Sequence, residues 1–238
     1  MKQNNTKKFF LSSALLLMVA VIPAKADFVQ NGNFAGSPGG FTTVWAQPVS
    51  NPGQDIFAGS WQVITPSGNT NVGSIDWIGT YWNGPTPGTN SVDLDGSSAG
   101  GIQQTISGLT TNQTYTLSFE FSGNPQSSID PSGNYPTKTL LVNVGNVTGQ
   151  TYTITPNWGA TSLNSMVWTA ESFVFTAPGP TTVLQFVSAD QQASYTGPVV
   201  TDVSISATPE PGFYGVLALG LAGLAFAMVR RRSGLKNF

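Results

Sequence analysis

The sequence predicts an all-β domain, a two-sheet antiparallel β-sandwich of jelly-roll type. Three observations carry this reading. Hydrophobic residues between positions 27 and 207 recur at every second position, the period of a half-buried strand. Clusters rich in Gly, Pro, Asn and Asp punctuate them at short intervals. No amphipathic helical stretch of length lies in that region. Roughly ten short strands separated by such turns fit a sandwich, and the lack of an internal repeat argues against a propeller or solenoid.

The elements follow in order. Strands are expected at residues 61–65, 72–78, 91–94 and 101–106. The clearest comes next, at residues 114–122. Tyr115, Leu117, Phe119 and Phe121 share one face there; Thr116, Ser118, Glu120 and Ser122 share the other. That aromatic face should lie in the core. Leu140, Val142 and Val144 alternate likewise, and residues 150–155 follow. Phe173 with Phe175, Leu184 with Phe186, and finally Val199, Thr201, Val203 and Ile205 complete the pattern. Ser67-Gly68-Asn69, Asn83-Gly84-Pro85, Asp95-Gly96-Ser97 and Ala177-Pro178-Gly179-Pro180 are turn signals between them.

Charge separates this domain from the two ends. Of nine basic residues, four lie in residues 1–26 and four in the last nine, leaving only Lys138 between; residues 27–207 hold ten acids and one base, a formal charge of −9. The chain has no His and no Cys. This excludes Ser-His-Asp and Cys-His nucleophile pairs, Cys/His zinc sites and internal disulfides. Nucleic acid is excluded as a partner of residues 27–207, which hold no basic footprint for phosphate.

Residues 1–26 read as a secretory signal peptide. Lys2, Lys7 and Lys8 form the positive region, residues 9–22 the apolar stretch, and Ala24-Lys25-Ala26 the cleavage site, so the mature chain begins at Asp27. Residues 27–207 form the sandwich domain. Residues 208–238 hold three parts: Pro209-Glu210-Pro211, the uncharged run 213–229, and Arg230-Arg231-Arg232. The run is expected as a transmembrane helix near the lower length limit, its arginines cytoplasmic. This order closely resembles the PEP-CTERM sorting signal of Gram-negative bacteria. The resemblance implies an exosortase as processing partner and transient residence in the inner membrane.

The domain has a resemblance of its own. Asn31-Gly32-Asn33-Phe34 is followed by Trp61-Gln62-Val63, Ser74-Ile75-Asp76-Trp77-Ile78 and Ser91-Val92-Asp93-Leu94-Asp95-Gly96. Then come Gly100-Gly101 before Ile102-Gln103-Gln104-Thr105, Tyr115-Thr116-Leu117-Ser118-Phe119, and Gly197-Pro198 before Thr201-Asp202-Val203-Ser204-Ile205. This series resembles the galactose-binding-like jelly roll of bacterial choice-of-anchor C proteins. It is similar also to plant cell-wall proteins long catalogued as a domain of unknown function. It departs from the plant proteins in lacking cysteines and a tandem copy, and from many galactose-binding-like domains in having Ala35 where an acid follows the first strand.

Candidate site residues follow from chemistry. Sugar rings stack on exposed aromatic rings while Asp, Asn and Gln bond hydroxyls. Tyr81 and Trp82, at the start of a polar loop, Trp158 in Pro156-Asn157-Trp158-Gly159, and Asp76 are therefore the carbohydrate-binding candidates. Trp45 is a further exposed candidate, whereas Trp61, Trp77 and Trp168 read as core. No cofactor is required. Calcium is the one ion to consider, and the resemblance places it at Asn33 and Asp202, tying the two ends of the domain together. A structural hydrogen bond from backbone amides to Asp202 is the plainer alternative. Asp93 and Asp95 would point the same way on a continuing strand, and either hold a cation or shape a turn. Glu120 is a solvated surface acid or, with an Asp partner, a glycosidase acid.

The reading is a non-catalytic protein, exported through the inner membrane to the cell envelope, outer surface or extracellular matrix. There it binds exopolysaccharide or another glycan. A structural surface protein without a defined ligand is the alternative, and a polysaccharide-active glycosidase or lyase is a third.

Overall fold

A computed structural model describes residues 27–36, 39–46, 55–56, 59–126, 137–156, 163–164, 166–190, 195–208 and 211–234. The expected signal peptide, Trp158, Pro209 and Glu210 lie outside the described residues. Two six-stranded antiparallel sheets pack face to face. The first has the order β1 (Phe41–Trp45), β4 (Ser74–Ile78), β5 (Ser91–Asp93), β12 (Pro198–Ala207), β7 (Thr114–Gly123), β10 (Thr169–Thr176). The second runs β2 (Asp55–Ile56), β3 (Trp61–Ile64), β6 (Gly101–Ser107), β11 (Thr181–Ser188), β8 (Lys138–Val144), β9 (Val147–Ile154). Consecutive strands mostly alternate between the sheets, as in a jelly roll.

The core lies between the sheets and is built by the period-two faces. Tyr115, Leu117, Phe119 and Phe121 of β7 are all buried, facing Ile102, Ile106, Leu140, Val142, Leu184 and Phe186 of the second sheet. Phe119 meets Phe186 edge-on, with ring centroids 5.2 Å apart, and meets Tyr152 in the same way at 5.2 Å. Each such ring contributes about 1.5–3 kcal/mol by burial alone. Trp61 is fully buried against Phe34 and Phe186, and its indole N–H donates to the Asn31 carbonyl.

The alternation read for the last strand is corrected by a bulge. Between Thr201 and Ser204 the pairing of β12 with β7 shifts register, and Asp202 there has φ +49°. One extra residue reverses the faces on either side of it. Val200, Val203 and Ile205 therefore enter the main core, while Val199 points to the opposite face and packs with Ile78 and Trp82. Strands β1 and β2, which the sequence did not announce, extend the two edges.

Helix α1 (Pro211–Gly234) forms where the sequence places the apolar run. Among the described residues, no helix is long and apolar enough to cross a membrane. The expected transmembrane span is corrected accordingly. Seventeen uncharged residues rise only about 25 Å, short of the roughly 30 Å hydrocarbon core. The side chains of Pro211 and Arg230–Arg232 are outside the description.

Candidate functional site

The outer face of the first sheet carries the most developed site. In β4 the pleat sends Ile75 and Trp77 inward, leaving Asp76 and Ile78 outward. Edge strand β1 pairs with β4 so that Phe41 stands beside Ile78 and Thr43 beside Asp76. Residues 79–90 then fold back over this face. Gly79 N–H donates to the Gly40 carbonyl, Asn83 N–H to the Leu163 carbonyl, and the Trp168 indole to the Asn83 carbonyl. Trp82 is pinned beneath: 4% exposed, it packs on Ile78 and Val199 and donates from its indole N–H to Ser91 Oγ at 2.8 Å.

These elements enclose a cleft of about 210 Å³, bounded by Phe41, Thr43, Asp76, Tyr81, Asn124, Gln126 and Tyr195, with Ile78 and Trp82 at its floor. Phe41 and Tyr81 lean together, centroids 4.9 Å apart. Gln126 Nε2 donates to the Tyr81 hydroxyl at 2.6 Å, fixing the ring. Thr43 Oγ1 donates to Asp76 Oδ1 at 2.5 Å. Burial pushes the Asp76 carboxyl above its ordinary value, with the Thr43 bond pulling the other way. The walls thus offer aromatic faces, a carboxylate, amides and hydroxyls. That set can stack on a sugar ring and bond its hydroxyls.

A buried polar network underlies the cleft. Asp93, opposite Asp76 in the β4–β5 ladder, is fully buried. Its Oδ1 accepts from Asp95 N–H at 2.9 Å and Gly197 N–H at 3.0 Å, and its Oδ2 accepts from Asn124 Nδ2 at 2.6 Å. Burial first, then the carboxylates of Asp95 and Asp76, push Asp93 well above its ordinary value. Position 197 admits only glycine: a Cβ would lie 2.7 Å from Asp93 Oδ1 and from two Asp95 atoms. Next to it, Thr196 Oγ1 accepts from Lys138 Nζ at 2.9 Å, and Nζ stands 3.6 Å from Asp190 Oδ2. The one base of residues 27–207 is therefore fully buried within the wall that presents Tyr195.

Asn33 and Asp202, the metal candidates, line the same cleft. With Asp27, Asn31 and Ser204 they line a separate, more open cleft of about 330 Å³. The residues fit calcium poorly. Such an ion takes six to eight oxygens. Here Asp27 Oδ1 already accepts the Val29 and Ile205 amides, Asn31 Oδ1 accepts the Ala35 amide, and the Gly32 carbonyl accepts Val203 N–H. Among the described residues, no group of three or more His, Cys, Asp or Glu converges to hold a metal. The Ile205 amide on Asp27, the Val203 amide on the Gly32 carbonyl and Phe28 N–H on the Ile205 carbonyl tie the first segment to β12 directly.

The other candidates distribute as follows. Tyr81 and Asp76 line one cleft. Trp82 belongs to its floor instead of its wall, because its ring is spent on the small apolar cluster. Trp45 is 41% exposed on the edge strand, and Trp168 joins the outer cluster, not the main core. Glu120 is partly exposed on the outer face of β7, with Asp202 as its charged neighbour; burial and that neighbour raise its pKa. Phe41, Thr43, Asn124, Gln126 and Tyr195 were not read from the sequence. On the second sheet, Gln62, Gln103, Gln185 and Asn143 form an amide ladder across four strands, each bonded to the next at 2.9–3.2 Å. Those amides satisfy one another.

Fold and site together define a β-sandwich module with an aromatic, acid-bearing cleft on the outer face of one sheet. The chain belongs to the DUF642 family, described as a protein of unknown function, which matches residues 27–206. A curated relative is Halomucin of Haloquadratum walsbyi, 26% identical over 206 residues; the match takes in 84% of this chain and 2% of Halomucin's own length. Among solved structures, a CBM4 structure shares 16% identity at a TM-score of 0.42, covering 76% of this chain and 99% of the other. A family 35 carbohydrate binding module from Clostridium thermocellum shares 10% at 0.37, covering 70% and 99%. A Stig cyclase from Fischerella sp. TAU shares 13% at 0.46, covering 78% and 99%.

Proposed function

We propose that this protein is exported and works at the cell envelope, the outer surface or in the extracellular matrix. Its sandwich binds exopolysaccharide or another glycan without catalysis, through the cleft of Tyr81 and Asp76. The observation that carries this is the convergence of Phe41, Tyr81 and Tyr195 with Asp76, Asn124 and Gln126 on one cleft. Aromatic faces and hydrogen-bonding groups side by side are what a sugar ring requires, and such sites keep a few placed polar groups among apolar walls. The absence of His and Cys from the sequence, and the separation of Glu120 from this cleft, favour binding over turnover.

The test is retention of the purified full chain on immobilised polysaccharides. Tyr81→Ala should weaken retention about tenfold, the scale of one central aromatic contact, in a chain that still unfolds cooperatively. Trp82 is no probe of binding, since its truncation acts on folding. If no polysaccharide is retained, the structural alternative gains. Turnover abolished by Glu120→Gln would favour a glycosidase or lyase.

The resemblances of the sequence support a choice-of-anchor C type domain with a PEP-CTERM-type sorting segment read by an exosortase. The order Pro209-Glu210-Pro211, apolar helix, Arg230-Arg231-Arg232 is the basis. Intact-mass measurement on the cellular protein should show loss of residues 1–26 and of the segment beyond the Pro-Glu-Pro. A form retaining residues 213–238 would contradict exosortase cleavage.

A further inference from the structure

We infer that the glycan taken by the cleft carries a protonated amino group, as in N-unsubstituted hexosamine units, and that Asp76 is its counter-charge between the rings of Phe41, Tyr81 and Tyr195. This rests on the glycan reading above and sharpens it to a class of saccharide.

Three observations support it. Among the described residues, Asp76 is the one charged side chain lining the cleft. Among the described residues its Oδ1 accepts a neutral hydroxyl, from Thr43, and no cation. No base of the domain can answer it: Lys138 is the sole Lys or Arg in residues 27–207, and it is fully buried against Thr196 and Asp190. An anionic saccharide, uronate or sulfated, would meet only negative charge here. A neutral one would leave a partly desolvated carboxylate facing a second acid, Asp93, directly across the ladder. A bound ammonium supplies the missing counter-charge.

The walls suit the same ion. An ammonium is attracted to the faces of aromatic rings as well as to a carboxylate, most strongly where water is excluded. Phe41 and Tyr81 stand with ring centroids 4.9 Å apart, and Tyr195 lines the same cleft. Burial raises Asp76 above its ordinary value, a shift that a neighbouring cation would reverse.

The experiment is calorimetric titration of the full chain with three probes: a β-1,4-linked glucosamine oligomer, its fully N-acetylated counterpart and a uronate oligomer. The amine oligomer should bind roughly tenfold or more tightly than the acetylated one, the scale of one charge-assisted contact; the uronate should bind least. The preference should vanish above the amine's own pKa. Asp76→Asn, which keeps an acceptor for Thr43, should erase the preference while leaving weak binding of the acetylated oligomer. Phe41→Leu, on the exposed edge strand, is the second variant and should reduce the preference with the carboxylate intact. Equal affinity for the amine and acetylated oligomers would overturn this inference and leave the glycan reading standing. So would an equal loss on Asp202→Asn, which would mean diffuse attraction to an acidic surface. Binding of none of the three by a folded chain would overturn the inference, and the broader reading would then be decided by the immobilised polysaccharides.

Discussion

Phe119→Asp is expected to leave no folded domain. Phe119 is 2% exposed at the middle of β7, with edge-on contacts to Phe186 and Tyr152 of the facing sheet. Removing the ring alone costs about 3–5 kcal/mol, the range of Phe-to-Ala changes in cores. The carboxylate adds more, since the ring it replaces packs within the apolar cluster between the sheets. An ionised group there without a partner costs several kcal/mol, and a protonated one still lacks hydrogen bonds. Domains of this size carry about 5–15 kcal/mol in total. β7 is also hydrogen-bonded on both sides, to β12 and β10, so its displacement unzips two ladders. Circular dichroism and denaturant unfolding check this. A soluble variant with a cooperative transition would show that this face is not the core.

The second large effect is Lys138→Ala, expected to cost about 3–5 kcal/mol, the range for breaking a buried ion pair from one side. Lys138 is fully buried; its ammonium donates to Thr196 Oγ1 and faces Asp190, itself only 4% exposed. Removing the cation strands the Asp190 carboxylate. The double variant Lys138→Met with Asp190→Asn should recover much of the loss, because no charge is then left buried and Asn retains an acceptor for Thr139 N–H. Denaturant midpoints of the two singles and the double give the coupling. A single variant within about 1 kcal/mol of the parent, the scale of an exposed pair, would mean that the bridge is solvated in practice. Lys138 holds Thr196 beside Tyr195, so the pair also braces one wall of the cleft of Tyr81 and Asp76.

What was legible in the sequence follows from what pattern can encode. Residues 114–122 announce β7 because one face is wet and the other dry, which forces period two. The turn clusters mark strand ends for the same local reasons. Residues 41–45 announce nothing, because Phe41 and Trp45 are apolar on the outer face while Val44 is apolar on the inner one. The bulge at Asp202 is hidden because a single inserted residue leaves composition unchanged and only reverses which side chains face inward.

The site divides in the same way. Asp76 lies between inward-facing Ile75 and Trp77, so alternation alone sends it outward, and Tyr81 follows it into the loop. Their partners come from elsewhere: Gln126 reaches Tyr81 from 45 positions on, and Tyr195 closes the cleft from the connection before β12. Such pairings belong to the tertiary fold. Trp82 shows the limit most plainly. Its place at a loop start suggests exposure, yet the loop folds back and spends the ring on Ile78 and Val199. The Asn33–Asp202 pairing was reached through resemblance, and the structure explains the proximity by backbone hydrogen bonds between the first segment and β12.

A saccharide in the cleft between Tyr81 and Asp76 is what the proposed function requires. A crystal structure of the protein soaked with a hexosamine oligosaccharide tests it most directly. Sugar density is expected against Tyr81 and Phe41, with a polar substituent within hydrogen-bonding distance of the Asp76 carboxylate. Sugar bound instead along the amide ladder of the second sheet, or at the Asp27–Asp202 cleft, with this one left to solvent, would contradict it.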